Sequence, residues 1–234
     1  MIEISEIQTY LIISKKNYII YLFDREKLET LYYQKLDLEN KIDDLDIDNL
    51  NNFLNENIFK IERLIGSFVK NIFIYLETED VFNVNISMKK KNYEKKLQLN
   101  FVENLLVEAK DLIQENYKKY KIAHILINKY IINGKSYPHF ISDLDVENLC
   151  LEINFKCFHQ NLLIQITHIL DKYHIEIDRF LDLKYINTLF LDENVDPVIK
   201  FYKVLDGFNQ NEVNLVPKNI KKTGFFEKFF QLFN

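Results

Sequence analysis

The residues of this chain whose types could do chemistry are five histidines, two cysteines, four glycines and a few paired acids. Their spacing decides which chemistry is open. His124, His139, His159, His168 and His174 form neither HxxxH nor HExxH, the pairs that place two imidazoles on one helix face for zinc. His168 and His174 flank the end of a predicted helix, where a cation suits the dipole. Cys150 and Cys157 fit neither CxxC nor a four-ligand set, and they lie in one apolar stretch. They read as reduced core thiols in a reducing, cytoplasmic compartment. Gly66, Gly134, Gly207 and Gly224 are too far apart to build a phosphate cradle, and the chain has no GxxxxGK[ST] or GxSxG. Asp43-Asp44 and Asp145/Glu147 sit in polar runs that read as solvated faces rather than catalytic dyads. No acid, base or nucleophile set emerges. The expectation is a protein that is not an enzyme, with no catalytic, cofactor or metal residues.

The C-terminal segment carries a different chemistry. At helical steps of about 100°, Phe225, Phe226, Phe229, Phe230, Leu232 and Phe233 fall on one arc, and Glu227, Lys228, Gln231 and Asn234 fall on the other side. Lys218, Lys221, Lys222 and Lys228 add positive charge. Residues 221–234 therefore read as a short amphipathic helix on a membrane surface. The aromatic face inserts, and Lys221, Lys222 and Lys228 meet anionic headgroups. The competing reading is a helix docked on its own domain. A long polar tether and so dense an aromatic face favour the membrane. Full burial of one such side chain contributes about 1.5–3 kcal/mol. Partial burial, less the cost of ordering a short helix, leaves reversible binding for one tail. Several tails on one assembly would bind firmly.

The body that must position this tail has globular composition: 47% hydrophobic and 28% charged in 234 residues. Abundant Ile, Asn, Lys, Phe and Tyr are read as an AT-rich coding bias. A net charge of −5 and a pI near 5.6 argue against a nucleic-acid partner. The N-terminus lacks the charged and apolar regions of a signal peptide, and no apolar run nears the roughly 20 residues that span a bilayer. A soluble or peripheral protein is expected.

Three strands in an antiparallel meander are expected at 7–14, 17–24 and 27–36. A helix ending at Gly66 follows, from the spacing of Ile47, Leu50, Leu54, Ile58, Ile61 and Ile65. Strands are expected at 71–77 and 81–88, with Lys89–Lys91 and Lys95-Lys96 flanking a solvated loop. A helix over 101–118, strands at 122–132 and 146–158 around an Asn133-Gly134 turn, a helix over 160–172 and a strand at 175–183 come next. Pro197 opens a helix through Leu205, and a polar linker continues. The fold class is α+β, with mostly antiparallel sheets and packed helices. The expected domains are a 1–44 meander, a 45–206 body, a 207–220 linker and the 221–234 helix.

The stretch from about Leu45 to Leu191 resembles subdomain 1C and its flanks in the FtsA family of bacterial actin-like cell-division proteins. The resemblance lies in the helix ending at Gly66, in VENLLVEAKDLI followed by AHILINKYIINGK, in LCLEINFKCF, and in QNLLIQITHILDKY followed by IEIDRFLDLKYINTLF. Val195–Gly207 resembles the helix before the family's linker, and TGFFEKFFQLFN resembles its membrane helix. Where the family has Gly at the end of the helix before IEIDRF, this chain has Tyr173-His174. The family's acidic-x-Gly phosphate loop is replaced by Ser14-Lys15-Lys16-Asn17, and its second Gly-rich loop has no counterpart.

The resemblance implies a truncated actin-like architecture without nucleotide binding. It implies a membrane-associated division adaptor that contacts division proteins or itself through the 1C-like body. It sits peripherally on the inner face of the cell membrane, at midcell, against an anionic lipid surface. The subdomain that receives the FtsZ tail has no counterpart, so direct FtsZ binding is not carried over. The alternatives are a scaffold of pilus or secretion machinery, where the actin-fold relative PilM works, and a nucleotide-binding enzyme with an unusual site.

Overall fold

The structure is a computed structural model and describes residues 7–38, 45–93, 96–142, 144–190 and 195–214. The fold is α+β, and the chain divides into two compact units. One contains residues 1–81 and 158–204, and the other 82–157 and 205–234.

In the first unit, strands β1 (Ile7–Ser14), β2 (Asn17–Asp24) and β3 (Glu29–Asp37) form the expected antiparallel meander. The meander does not stand apart as a 1–44 domain. The outer edge of β1 pairs in parallel with β4 (Asn71–Glu77), which pairs in parallel with β9 (Glu176–Asp182). One five-stranded mixed sheet results, in the order β3-β2-β1-β4-β9. Its sequence explains why. Thr9 through Ser14 are buried one after another, and such a strand needs cover on both faces.

Helix α1 (Ile47–Ile65) covers one face, where the ring of its Phe53 meets Tyr18. Asp46 caps its start by accepting from the Asn49 N–H at 3.0 Å. Gly66 ends it with a φ of 72°, and a Cβ there would meet nothing within 4 Å, so backbone handedness sets the demand for glycine. Helix α5 (Pro197–Leu205) covers the opposite face. Its Phe201 stacks on Tyr75 at 3.9 Å between ring centroids and meets Tyr10 and Tyr21 edge-on. Helices α3 (Gln160–Asp171) and α4 (Leu183–Leu189) complete the unit. The expected strand at 175–183 ends at Asp182, whose side chain accepts from the Lys184 N–H and starts α4, a helix that periodicity over seven residues does not announce.

The second unit enters the chain between β4 and α3. Its strands are β5 (Phe82–Lys91), β6 (Tyr120–Ile132), β7 (Lys135–Tyr137), β8 (Asn148–His159) and the two-residue β10 (Glu212–Val213). They form a sheet ordered β10-β6-β8-β5, with β7 paired to β6. β8 alternates strictly: Leu149, Leu151, Ile153, Phe155 and Cys157 are buried against Val102, Leu105, Leu106, Ala109 and Ile113 of helix α2 (Leu99–Asn116). The other face is polar. Asn154 donates to Asn85 at 2.9 Å, and Lys156 donates to Asn83 at 3.1 Å. Asn133 and Gly134 turn β6 into β7 with φ of 50° and 82°, as a two-residue hairpin demands.

Two expectations about this unit are corrected. The strand expected to end at 88 continues through Lys89–Lys91. They extend β5 against Cys150, Leu149 and Asn148, and Lys90 is ion-paired with Glu108. The expected 207–220 linker is docked in its described part, because β10 joins the edge of β6.

Candidate functional site

The first candidate is a cleft of 290 Å³ in the first unit, at the carboxyl ends of parallel strands β1 and β4. Open sheets with parallel strands place ligands at that edge. Ser14 and Lys15 come from the β1–β2 turn, Glu77, Thr78 and Asp80 from the end of β4, Asp46 from the start of α1, and His159 and Asn161 from the start of α3. Several of the polar groups already have local work. The Ser14 hydroxyl accepts from the backbone N–H of Lys16 at 3.2 Å and of Asn17 at 3.0 Å. It lies 3.0 Å from the Asn17 carbonyl, to which it donates. The Asp46 carboxylate caps α1 and also accepts from the Asn49 side chain at 2.7 Å. Tyr18 donates its hydroxyl to the Asp46 carbonyl at 3.0 Å, and burial pushes its pKa up to about 12. His159 accepts from the Asn161 N–H at 3.3 Å and so caps α3.

The resemblance puts the family's phosphate loop at this turn. A phosphate there needs backbone N–H groups aimed outward, and Ser14 has turned two of them onto its own hydroxyl. Asp46, Glu77 and Asp80 add negative charge around the single lining lysine, Lys15. Among the described residues no group of three His, Cys, Asp or Glu is placed to hold a metal ion.

The second candidate is the edge of the second unit where β10 docks on β6. Glu212 of β10 lies 2.8 Å from Nδ1 of His124 on β6, and the two side chains are 4% and 0% exposed. The Ile127 N–H donates to the Asn211 carbonyl at 2.9 Å, and the Asn211 side chain donates to the Pro138 carbonyl at 2.8 Å. Sequence reasoning set His124 aside as structural and read Glu212 as linker. A two-residue strand has no periodicity to detect, and only the fold brings residues 88 positions apart together.

The other singled-out residues fall elsewhere. His168 lies 3.8 Å from Asp171 on an exposed face of α3. His174 adopts a φ of 56° just after α3. Cys150 and Cys157 are free thiols, and burial pushes that of Cys157 up to about 11, well away from nucleophile chemistry at neutral pH. Phe225, Phe226, Phe229, Phe230, Leu232, Phe233, Lys221, Lys222 and Lys228, the expected membrane-binding residues, lie outside the described residues. No helix among the described residues is long and apolar enough to cross a membrane.

No family model matches the chain. The RING finger protein PFE0100w of Plasmodium falciparum (isolate 3D7) is 27% identical over 233 residues, which takes in 88% of this chain and 17% of that protein. The chain thus spans less than a fifth of this curated relative. Among solved structures, the cytoplasmic domain of EpsL, an inner membrane component of the type II secretion system of Vibrio cholerae, is 11% identical with a TM-score of 0.35. It covers 80% of this chain and 59% of that one. The PilM–PilN type IV pilus biogenesis complex is 9% identical with a TM-score of 0.44, covering 76% and 48%. A Bacteroides thetaiotaomicron protein described as having an actin-like ATPase fold and unknown function is 9% identical with a TM-score of 0.33, covering 88% and 60%. The chain spans about half to three fifths of these structures. At such scores the strand order and register above, rather than the neighbours, define the fold.

Proposed function

We propose that this chain is a non-enzymatic interaction scaffold of truncated actin-like type, tethered reversibly to a membrane by its C-terminal tail. The observation that carries the non-enzymatic part is the Ser14 turn. Its hydroxyl consumes the Lys16 and Asn17 amides that a phosphate would need, and carboxylates line the cleft beside it. The scaffold part is supported by the second unit. It has its own core and a polar outer sheet face, and it is inserted into a chain whose mixed sheet is otherwise continuous. A domain with its own core on an otherwise closed fold is suited to meeting partners.

Two settings fit such a scaffold. The names of EpsL and of the PilM–PilN complex point to pilus or secretion machinery, and that setting is tested first. The sequence resemblance of LCLEINFKCF and its flanks to FtsA supports bacterial division as the second reading. A fluorescent fusion in the source organism separates them: polar foci support secretion or pilus assembly, midcell bands support division, and diffuse signal refutes both. Titration calorimetry with ATP and Mg²⁺ tests the missing nucleotide site, and heat beyond dilution would refute it. Liposome pelleting tests the tail. Equal binding of wild type and Phe229→Asp/Phe230→Asp would overturn the tether.

A further inference from the structure

The register of β10 on β6 sets the direction of the chain at its last described residues. Glu212 pairs with Leu126 and Val213 with Ile125 in antiparallel fashion, so the chain leaves β10 heading toward the first residues of β6. At that end, Tyr117 closes α2 and its carbonyl accepts from the Tyr120 N–H at 2.9 Å. This tight turn presents Lys118 and Lys119 at its two central positions, and Lys121 follows on β6. All three lysines are exposed. The turn is anchored by rings: Phe82 stacks on Tyr120 at 4.5 Å and meets Tyr117 at 5.2 Å. Three cations held on a fixed aromatic base match what a polar–apolar boundary of a bilayer attracts. The carboxyl end of α2 adds a dipole that favours cations there, and Glu115 lies on its last turn.

The opposite end of the same sheet also carries lysines, with acids among them. Lys90 is paired with Glu108, the backbone of Lys96 forms a β-bridge with that of Asp145, and the Asn92 N–H donates to the Glu147 carbonyl. The Lys118 corner lies within reach of the tail. Lys121 lies four residues from Ile125 along β6, about 14 Å. Phe225 is twelve residues beyond Val213 and can reach at most about 40 Å from it. Lys218, Lys221 and Lys222 lie on that tether.

We infer that the corner formed by Lys118, Lys119 and Lys121 is a second contact with an anionic lipid surface, at the end of the sheet toward which β10 runs. The tail supplies hydrophobic insertion, and the corner supplies electrostatic attraction and turns this end of the second unit toward the headgroups. This rests on the membrane reading of the tail.

The test is sedimentation of the full chain with phosphatidylcholine vesicles, with and without phosphatidylserine. Lys118→Glu/Lys119→Glu/Lys121→Glu should weaken binding to the anionic vesicles by about tenfold or more at low salt, and the corresponding glutamine variant should lose less. Lys89→Glu/Lys91→Glu/Lys135→Glu, with the same charge change at the other end, should alter binding less than about threefold, since screening confines each charge to its neighbourhood. Equal losses from the two reversals would reduce the effect to net charge and overturn the inference. Unchanged binding of the corner variants, with Phe229→Asp/Phe230→Asp abolishing it, would overturn the corner and leave the tail standing. Undiminished binding of the phenylalanine variant would instead overturn the tail.

Discussion

Glu212→Ala should undock β10 while leaving the rest of the second unit folded. The Glu212 carboxylate and His124 are both buried and 2.8 Å apart, so the substitution removes a short contact to an ionisable partner from a dry site. A hydrogen bond of that kind contributes about 1.5–3 kcal/mol. The same edge is held by the two paired residues of β10, the amide bond from Ile127 to Asn211 and the side-chain bond from Asn211 to Pro138. Local opening of β10 therefore becomes easier by about the same energy. At about 1.4 kcal/mol per decade, amide exchange at Ile127 should speed up by about 10- to 150-fold. Ile153, in the middle of β8 and paired with Ile86, should keep its protection. Hydrogen exchange read residue by residue is the assay. Exchange at Ile127 within about threefold of wild type would refute the claim that this contact holds β10 on β6. A parallel rise at Ile127 and Ile153 would show that the contact supports the whole unit instead.

Phe201→Ala should cost about 3–5 kcal/mol in a urea melt, because its ring is fully buried between Tyr75, Tyr10 and Tyr21; a loss below about 1 kcal/mol would contradict the packing of α5 on the first sheet. His174→Gly should stabilise by about 0.5–1 kcal/mol, since an exposed left-handed residue at φ 56° is strained and glycine relieves that at some entropic cost; a lower melting temperature would contradict it. Burial raises the carboxyl pKa of Glu103 on α2, so folding favours its protonated form. That contribution is intact below the ordinary glutamate pKa and declines as pH rises through the folded value. Glu103→Gln should therefore raise the urea midpoint at pH 7 more than at pH 4, and the reverse order would contradict the burial argument.

Much of the architecture was readable in the chain because long elements carry their own periodicity. The repeating apolar face from Ile47 to Ile65 and the glycine after it place α1 within a residue or two. The alternation of Val84, Ile86 and Met88 marks β5, and Asn133-Gly134 marks the turn that ends β6. The Tyr173-His174 position, where the resembled family has glycine, proves to be a left-handed turn. Composition and spacing also made the absence of a nucleotide cradle an expectation, because glycines so far apart cannot bring their amides to one phosphate.

Only the tertiary structure decided how these pieces join. Which strand lies beside β1 depends on contacts some sixty residues away, so the parallel β1–β4–β9 sheet and the division into two units left no local trace. Ser14 is an ordinary turn residue in sequence, and only its geometry shows the hydroxyl holding the Lys16 and Asn17 amides. The docking of β10 is the sharpest case. Glu212 is one acid in a polar stretch until the fold sets it against His124, 88 positions away in the chain, at the edge of the second sheet.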